Sequence, residues 1–398
     1  MPELIETRNA WLLAWASAAA NFITFGTLFS FGVFQRSIAE SLDSSIGPVA
    51  ALFSLAVFTY YTAGAVGGRL ADRYGVRPVL LAAGFLLPVG LFLSSRATSL
   101  WQLYFCYVLM VGPAVGCCYP PLLGAVGRRF DKRRASALAI VLMGVGGGTS
   151  AMPNISEALE TRFGWRTTFV VLGVLGALII SVVVVVAGPD RQTGAAPSPL
   201  GPIVRNPRFQ RLFLSVVLVG PGFYTPLAFY NDYAIDHAIS RPAAAALIGL
   251  VGGSSVATRL LISWRPNVFG TDRFGTMGQY QLGYVLMFLG LVTWLVAGSA
   301  YALLVVSAVL HGVGWAVWVT ATPLVLTEWF GVRDLGGVIG VFYTGLGVGA
   351  LAGPAVAGVL IDRSGYRPAI IAVVVTTFLA SVTVLLPVGG ASSRRIAA

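Results

Sequence analysis

Long apolar runs broken by short polar stretches make up most of this chain. With a window near 19 residues the runs fall at about 10 to 33, 47 to 70, 78 to 95, 101 to 127, 135 to 157 and 167 to 187. Six more follow at about 209 to 232, 243 to 270, 278 to 298, 301 to 327, 335 to 360 and 368 to 388. A helix needs about 20 such residues to cross a hydrocarbon core of about 30 Å, so the pattern predicts twelve membrane-spanning helices. Between the sixth and seventh runs, the stretch GPDRQTGAAPSPLGPIVRNP is too rich in proline, glycine and arginine to stay helical or to enter lipid. The predicted organisation is therefore a six-helix bundle over 1–187, a cytoplasmic linker over 188–207 and a second bundle over 208–398. The first run exceeds a signal peptide's apolar length and lacks its cleavage site, so it reads as a span.

Comparing the chain with itself adds an internal duplication. Leu70-Ala71-Asp72-Arg73-Tyr74-Gly75 falls on Gly270-Thr271-Asp272-Arg273-Phe274-Gly275 at a shift of 200, and Arg162-Phe163-Gly164-Trp165-Arg166 falls on Arg363-Ser364-Gly365-Tyr366-Arg367 at 201. Gly144, Gly146 and Pro153 likewise meet Gly345, Gly347 and Pro354. The fold class expected is an all-α polytopic membrane protein built as two parallel-repeat six-helix bundles, with a site between them near the bilayer midplane. The same shift sets Arg259 opposite Thr59 in the middle of span two.

Composition narrows the function. At 57% hydrophobic and 10% charged residues the chain has too little polar surface for a soluble globule. The 26 Lys and Arg, net charge +11, are scattered between apolar runs with no continuous basic face, which excludes nucleic acid as a partner. With the N-terminus cytoplasmic, seventeen of these cations fall on that side and seven on the other, so both termini are expected in the cytoplasm. The high Arg, Ala, Gly and Val content points to a prokaryotic source, and hence to its cytoplasmic membrane. Cys106, Cys117 and Cys118 share one apolar run and offer neither a disulfide framework nor metal spacing. No cofactor is implied, and no nucleophile with an adjacent base suggests an enzyme.

The stretch Gly68-Arg69-Leu70-Ala71-Asp72-Arg73-Tyr74-Gly75-Val76-Arg77 resembles the signature of the major facilitator superfamily between spans two and three. Within it, Ser30-Phe31-Gly32-Val33-Phe34, Tyr119-Pro120-Pro121, Phe130-Asp131-Lys132-Arg133-Arg134 and Ser254-Ser255-Val256-Ala257-Thr258-Arg259-Leu260 resemble bacterial relatives of the monocarboxylate transporters and oxalate:formate antiporters. The resemblance implies a monomeric secondary transporter that carries a small organic anion by alternating access, and it implies that Arg259 binds the carboxylate. It also shows departures. Phe29 stands where proton-coupled relatives carry a span-one lysine, Ser255 where they carry an aspartate, and Phe342 where the oxalate exchanger carries a second cation. Proton symport, exchange and facilitated diffusion all stay open, as do export of another compound and a ligand-binding sensor.

Arg259 has physical support of its own, because an arginine at bilayer depth costs at least about 2.5 kcal/mol and therefore faces a cavity or a partner. Its planar fork offers two parallel donors to a carboxylate and stays charged when dehydrated. Arg265, next to Pro266, is the competitor, expected near an irregular end of span eight. His311 in mid-span ten is a candidate for the proton or the carboxylate, with a packing role the alternative. Tyr60, Tyr61, Tyr119, Tyr230, Trp315, Trp318, Phe342 and Tyr343, with Phe29, form the expected aromatic wall. Asp72, Arg73, Arg77, Asp272 and Arg273 are expected to latch the cytoplasmic face. Asp232, Asp236 and His237 read as a wet loop at the outer end of span seven, with a gate or proton entry as the alternative.

Overall fold

The computed structural model describes residues 8–130, 133–188, 201–269, 271–330 and 335–385, and these are helical almost throughout. Among the described residues, eleven helices are long and apolar enough to cross a membrane. The helix Arg134–Ala187 breaks at Gly164 (φ 74°, ψ 163°) and supplies spans five and six, which gives twelve crossings. Span one is Arg8–Phe29 continued by Phe31–Ser41; spans two and three are Ile46–Tyr74 and Val76–Ser95. Span four runs from Leu100 to Arg129 through a π-helical stretch, Tyr104–Val111, where the Val108 carbonyl accepts from the Thr59 hydroxyl at 2.8 Å. In the second half, Pro207–Asp236, Arg241–Trp264, Thr271–Ala297, Tyr301–Phe330, Leu335–Ser364 and Tyr366–Leu385 form spans seven to twelve. Trp15, Phe85, Trp101 and Val185 are exposed on the outside of the bundle, where lipid rather than water is their solvent. Residues 189–200 of the predicted linker lie outside the described part. Asn206 then caps span seven, its Oδ1 accepting from the Arg208 amide at 2.9 Å with Pro207 in the first turn.

The duplication is visible in the backbone. Gly75 and Gly275 take φ of 87° and 69°, and Gly164 and Gly365 take 74° and 79°. Each reverses the chain within one residue in a conformation that a side chain resists, which is why both copies hold glycine there.

The shift, however, is not constant. Spans two and eight begin at Ile46 and Arg241, 195 positions apart. A β-carbon added at Gly112 would strike Thr59 and the Ala56 carbonyl, and one at Gly312 would strike Ser254 and the Val251 carbonyl; both partner pairs are again 195 apart. The extra residues are Arg265 and the 3-10 turn Pro266–Phe269, where span eight ends before the chain re-enters at Thr271. Arg259 is therefore the counterpart of Gly64, not of Thr59 as the single shift suggests. Five residues at about 1.5 Å each place it about 7.5 Å nearer the terminus-bearing face.

Close backbone approach holds the helices together where lipid removes most of the hydrophobic drive. Gly144 and Gly148 seat against Ala18 and Phe22 of span one, inside the first half. Gly345 and Gly349 do the same with Phe213 and Gly220 of span seven, inside the second. The glycine between each pair faces across the halves: Gly146 meets Val256 of span eight, and Gly347 meets Tyr61 of span two.

Candidate functional site

Arg259 lies on span eight with its Nε buried. Its guanidinium carbon sits 5.5 Å from the ring centre of Trp315, halfway along span ten, within cation–π range. The phenols of Tyr119, from span four, and Tyr343, from span eleven, lie within its electrostatic range. The cation is thus flanked by aromatic groups of both halves. The ring network continues from Trp315 to Phe29 (6.2 Å) and Phe223 (5.2 Å), and from Phe29 to Tyr224 (6.3 Å). Phe25 joins Tyr60 at 5.4 Å and Tyr119 at 5.2 Å, and Tyr61 joins Tyr343 at 6.3 Å. A hydrogen bond ties the halves at this level, between the Tyr61 and Tyr224 hydroxyls at 2.6 Å.

Tyr60, Tyr61, Tyr119, Trp315, Tyr343 and Phe29 come together here. Tyr230 does not: its hydroxyl bonds Ser307 at 2.6 Å and its ring packs on Trp294 inside the second half. Trp318 reaches Tyr343 at 6.1 Å but is wholly buried against Tyr280 and Tyr284. Phe342 is likewise buried, its ring against Phe209 and Tyr343. His311 is wholly buried, its ring 5.6 Å from Phe223, and so stands two rings away from Arg259. Tyr224 and Phe25 are additions. Tyr224 is the counterpart of Phe29 at the 195 shift, a signal hidden by the assumption of 200.

Arg265 is exposed, with its guanidinium 5.2 Å from the Trp264 ring just where span eight ends. Arg73, Arg77 and Arg273 are exposed on the terminus-bearing face, and Arg73 and Arg273 lie over their neighbours Tyr74 and Phe274. The side chains of Asp72 and Asp272, and the residues Asp131 and Lys132, lie outside the described part. On the opposite face the wet-loop expectation fails for Asp232. It is wholly buried, with Arg36 Nε of span one 3.5 Å from its Oδ1. Asp236 is exposed and 2.7 Å from Arg36 Nη2, and His237 stacks on Tyr233 at 4.1 Å. A helix with one polar flank buried against another half is read from sequence as a loop end, because its partner is about 200 positions away.

Residues 14–277 and 271–397 both match the family described as Major Facilitator Superfamily. The chain is 28% identical to monocarboxylate transporter 11 of Homo sapiens over 380 residues, covering 89% of this chain and 78% of that protein. It is 26% identical to the aspyridones efflux protein apdF of Emericella nidulans, covering 90% and 73%. A solved POT family transporter in complex with 5-aminolevulinic acid superimposes with a TM-score of 0.80 at 14% identity, covering 95% of each chain, and this likeness is one of fold. Twelve crossings, two parallel copies and a family match over nearly the whole length leave one reading: the chain belongs to the major facilitator superfamily and is a multi-pass membrane transporter, not an enzyme.

Proposed function

We propose that this transporter carries a small monocarboxylate by alternating access, with the substrate carboxylate held by Arg259. The observation that carries the reading is the guanidinium set over Trp315 between Tyr119 of one half and Tyr343 of the other. A charge held between two rocking halves meets its ligand from either side of the membrane. The planar fork suits a carboxylate edge, the Trp315 face keeps the cation oriented, and the rings of Phe29 and Tyr60 suit an apolar tail. The relatives named as monocarboxylate transporters support the same chemistry. By the cation count, the terminus-bearing face is cytoplasmic in a cell membrane, and there Asp72, Arg73, Arg77, Asp272 and Arg273 form the latch.

A bulkier cargo moved outward is the second reading, favoured by the ring-lined surroundings of Arg259 and by relatives that include an efflux protein. Uptake of radiolabelled L-lactate into proteoliposomes, with benzoate as competitor, tests both. Arg259→Ala is expected to abolish uptake and Arg259→Lys to retain part of it. Full activity in the alanine variant overturns the assignment. Counterflow of radiolabelled benzoate with no uptake of L-lactate favours the bulkier cargo.

A further inference from the structure

On the outer face, where span one meets spans five and seven, acid outnumbers base. Arg36 reaches Asp236 at 2.7 Å and Asp232 at 3.5 Å, and the Tyr366 hydroxyl donates to the other Asp236 oxygen at 2.8 Å. The next residue, Ser37, donates to Glu160 of span five, which is only 6% exposed. Glu157, one turn earlier and equally buried, accepts from the Thr161 hydroxyl at 3.3 Å. Asp232 and Glu160 lie within electrostatic range of one another, and the groups facing them are Asp236, Glu157 and Glu40 against Arg36 and Arg241, with the Tyr366 phenol beside Asp232 and Arg36. His237 is turned to the Tyr233 carbonyl.

Four buried acceptors in this seam have no donor: Asp232 Oδ2, Glu160 Oε2, and the amide oxygens of Gln35 and Asn231. The two amides lock the seam with their other ends, Gln35 donating to the Ala228 carbonyl and Asn231 to the Gly32 carbonyl at 3.4 Å. Acceptors from three helices, shut from water with a surplus of negative charge, call for a positive ligand. Among the described residues no group of three or more His, Cys, Asp and Glu suits a metal ion, and a proton needs only one of these carboxylate oxygens. Access is present: a cavity of about 390 Å³ lined by Arg36, Glu40, Asp43 and Asp362 opens on the solvent side of Arg36, whose other side faces Asp232.

We propose that Asp232 and Glu160 form the proton-binding site of this carrier, loaded as the outer face closes. The proton comes from water in the outer cavity, passes Arg36 and ends on a carboxylate oxygen; only an O–H bond is made. With Asp232 neutral, Arg36 keeps its shorter bond to Asp236, so the closed face survives protonation. Opening hydrates both carboxylates and returns the proton to the outside. The proposal rests on the chain being an alternating-access carrier, and it ties the closure of that carrier's outer face to the outside pH with no net movement of protons across the membrane, at a site away from the interior positions Phe29 and Ser255, which offer nothing to titrate.

The test needs no substrate, so its failure is separate from failure of the carboxylate assignment. Ser45 and Ser240 cap the outer starts of spans two and eight, both exposed and one in each half. Spin labels at Ser45→Cys and Ser240→Cys, in a chain with Cys106, Cys117 and Cys118 changed to Ala, report the outer opening in proteoliposomes. Acidification from about pH 8 to about pH 5 is expected to move the wild-type population to the shorter distance. Asp232→Asn with Glu160→Gln is expected to show the shorter distance throughout, and Asp232→Glu to restore the response. A response in the double variant equal to wild type, or no response in wild type, overturns the proposal. A double variant that no longer closes at any pH also overturns it, by making the carboxylates structural.

Discussion

Span two and span eight are copies of one helix, and they have diverged at one level. Gly64 in span two lets span four approach, a β-carbon there lying 3.3 Å from Pro120. Its counterpart, Arg259, holds a charge at the same level against Trp315. Elsewhere the two halves keep their shared rules: glycine where helices touch backbone to backbone, glycine where the chain reverses. Packing constraints act on both copies alike and preserve the duplication. Transport chemistry needs one charge, not two facing each other, so the copies part where the substrate is proposed to bind. The outer seam repeats the lesson, since Ser37 and Asp232 are counterparts and only one is ionisable.

The largest expected effect comes from erasing the divergence. Arg259→Ala is expected to lower lactate uptake by at least about 30-fold, the scale of losing about 2 kcal/mol of charge-assisted hydrogen bonding. Next are the glycines that the copies share. Gly148→Val and Gly349→Val each force a side chain into the backbone of a neighbouring helix in the same half, at Phe22 and Val217. Both are expected to destabilise the fold by about 1–3 kcal/mol, read as a lowered Tm in detergent. Gly347→Ala, across the halves, places its β-carbon 3.2 Å from the Tyr61 side chain. It is expected to leave Tm close to wild type and to slow counterflow, and an equal fall in Tm would erase the distinction between packing and rocking glycines.

Trp315→Leu removes the ring beneath the cation and is expected to raise the KM for lactate by about 5-fold to 30-fold, for about 1–2 kcal/mol of cation–π contact, with less effect on the maximal rate. The smallest effect is expected from Tyr224→Phe, which removes the 2.6 Å bond to Tyr61. A shift of about 1 kcal/mol in the balance of open and closed states is expected, visible as a change in the label-distance populations at fixed pH.

The sequence by itself determined the class of protein, the twelve crossings and the parallel duplication, and it singled out Arg259 as a charge to be explained. Each rests on something local or periodic: apolar length against bilayer thickness, motifs in order, a charge inside an apolar run. It also marked the aromatic residues Tyr119, Trp315 and Tyr343, though not which of their neighbours join them. Tertiary structure alone decided the rest. The five extra residues at Arg265–Phe269 shift the register, and register is fixed by which helix faces pack, so Arg259 moved from Thr59 to Gly64 only when Gly112 and Gly312 showed their partners. Tyr230 and Trp318 left the wall and Tyr224 entered it for the same reason. Asp232 read as wet because a carboxylate at a helix end is usually solvated, whereas here Arg36 and Gln35 of the other half close over that end. Pairings between residues almost 200 positions apart leave no mark on either segment, and they are made only when the two halves meet.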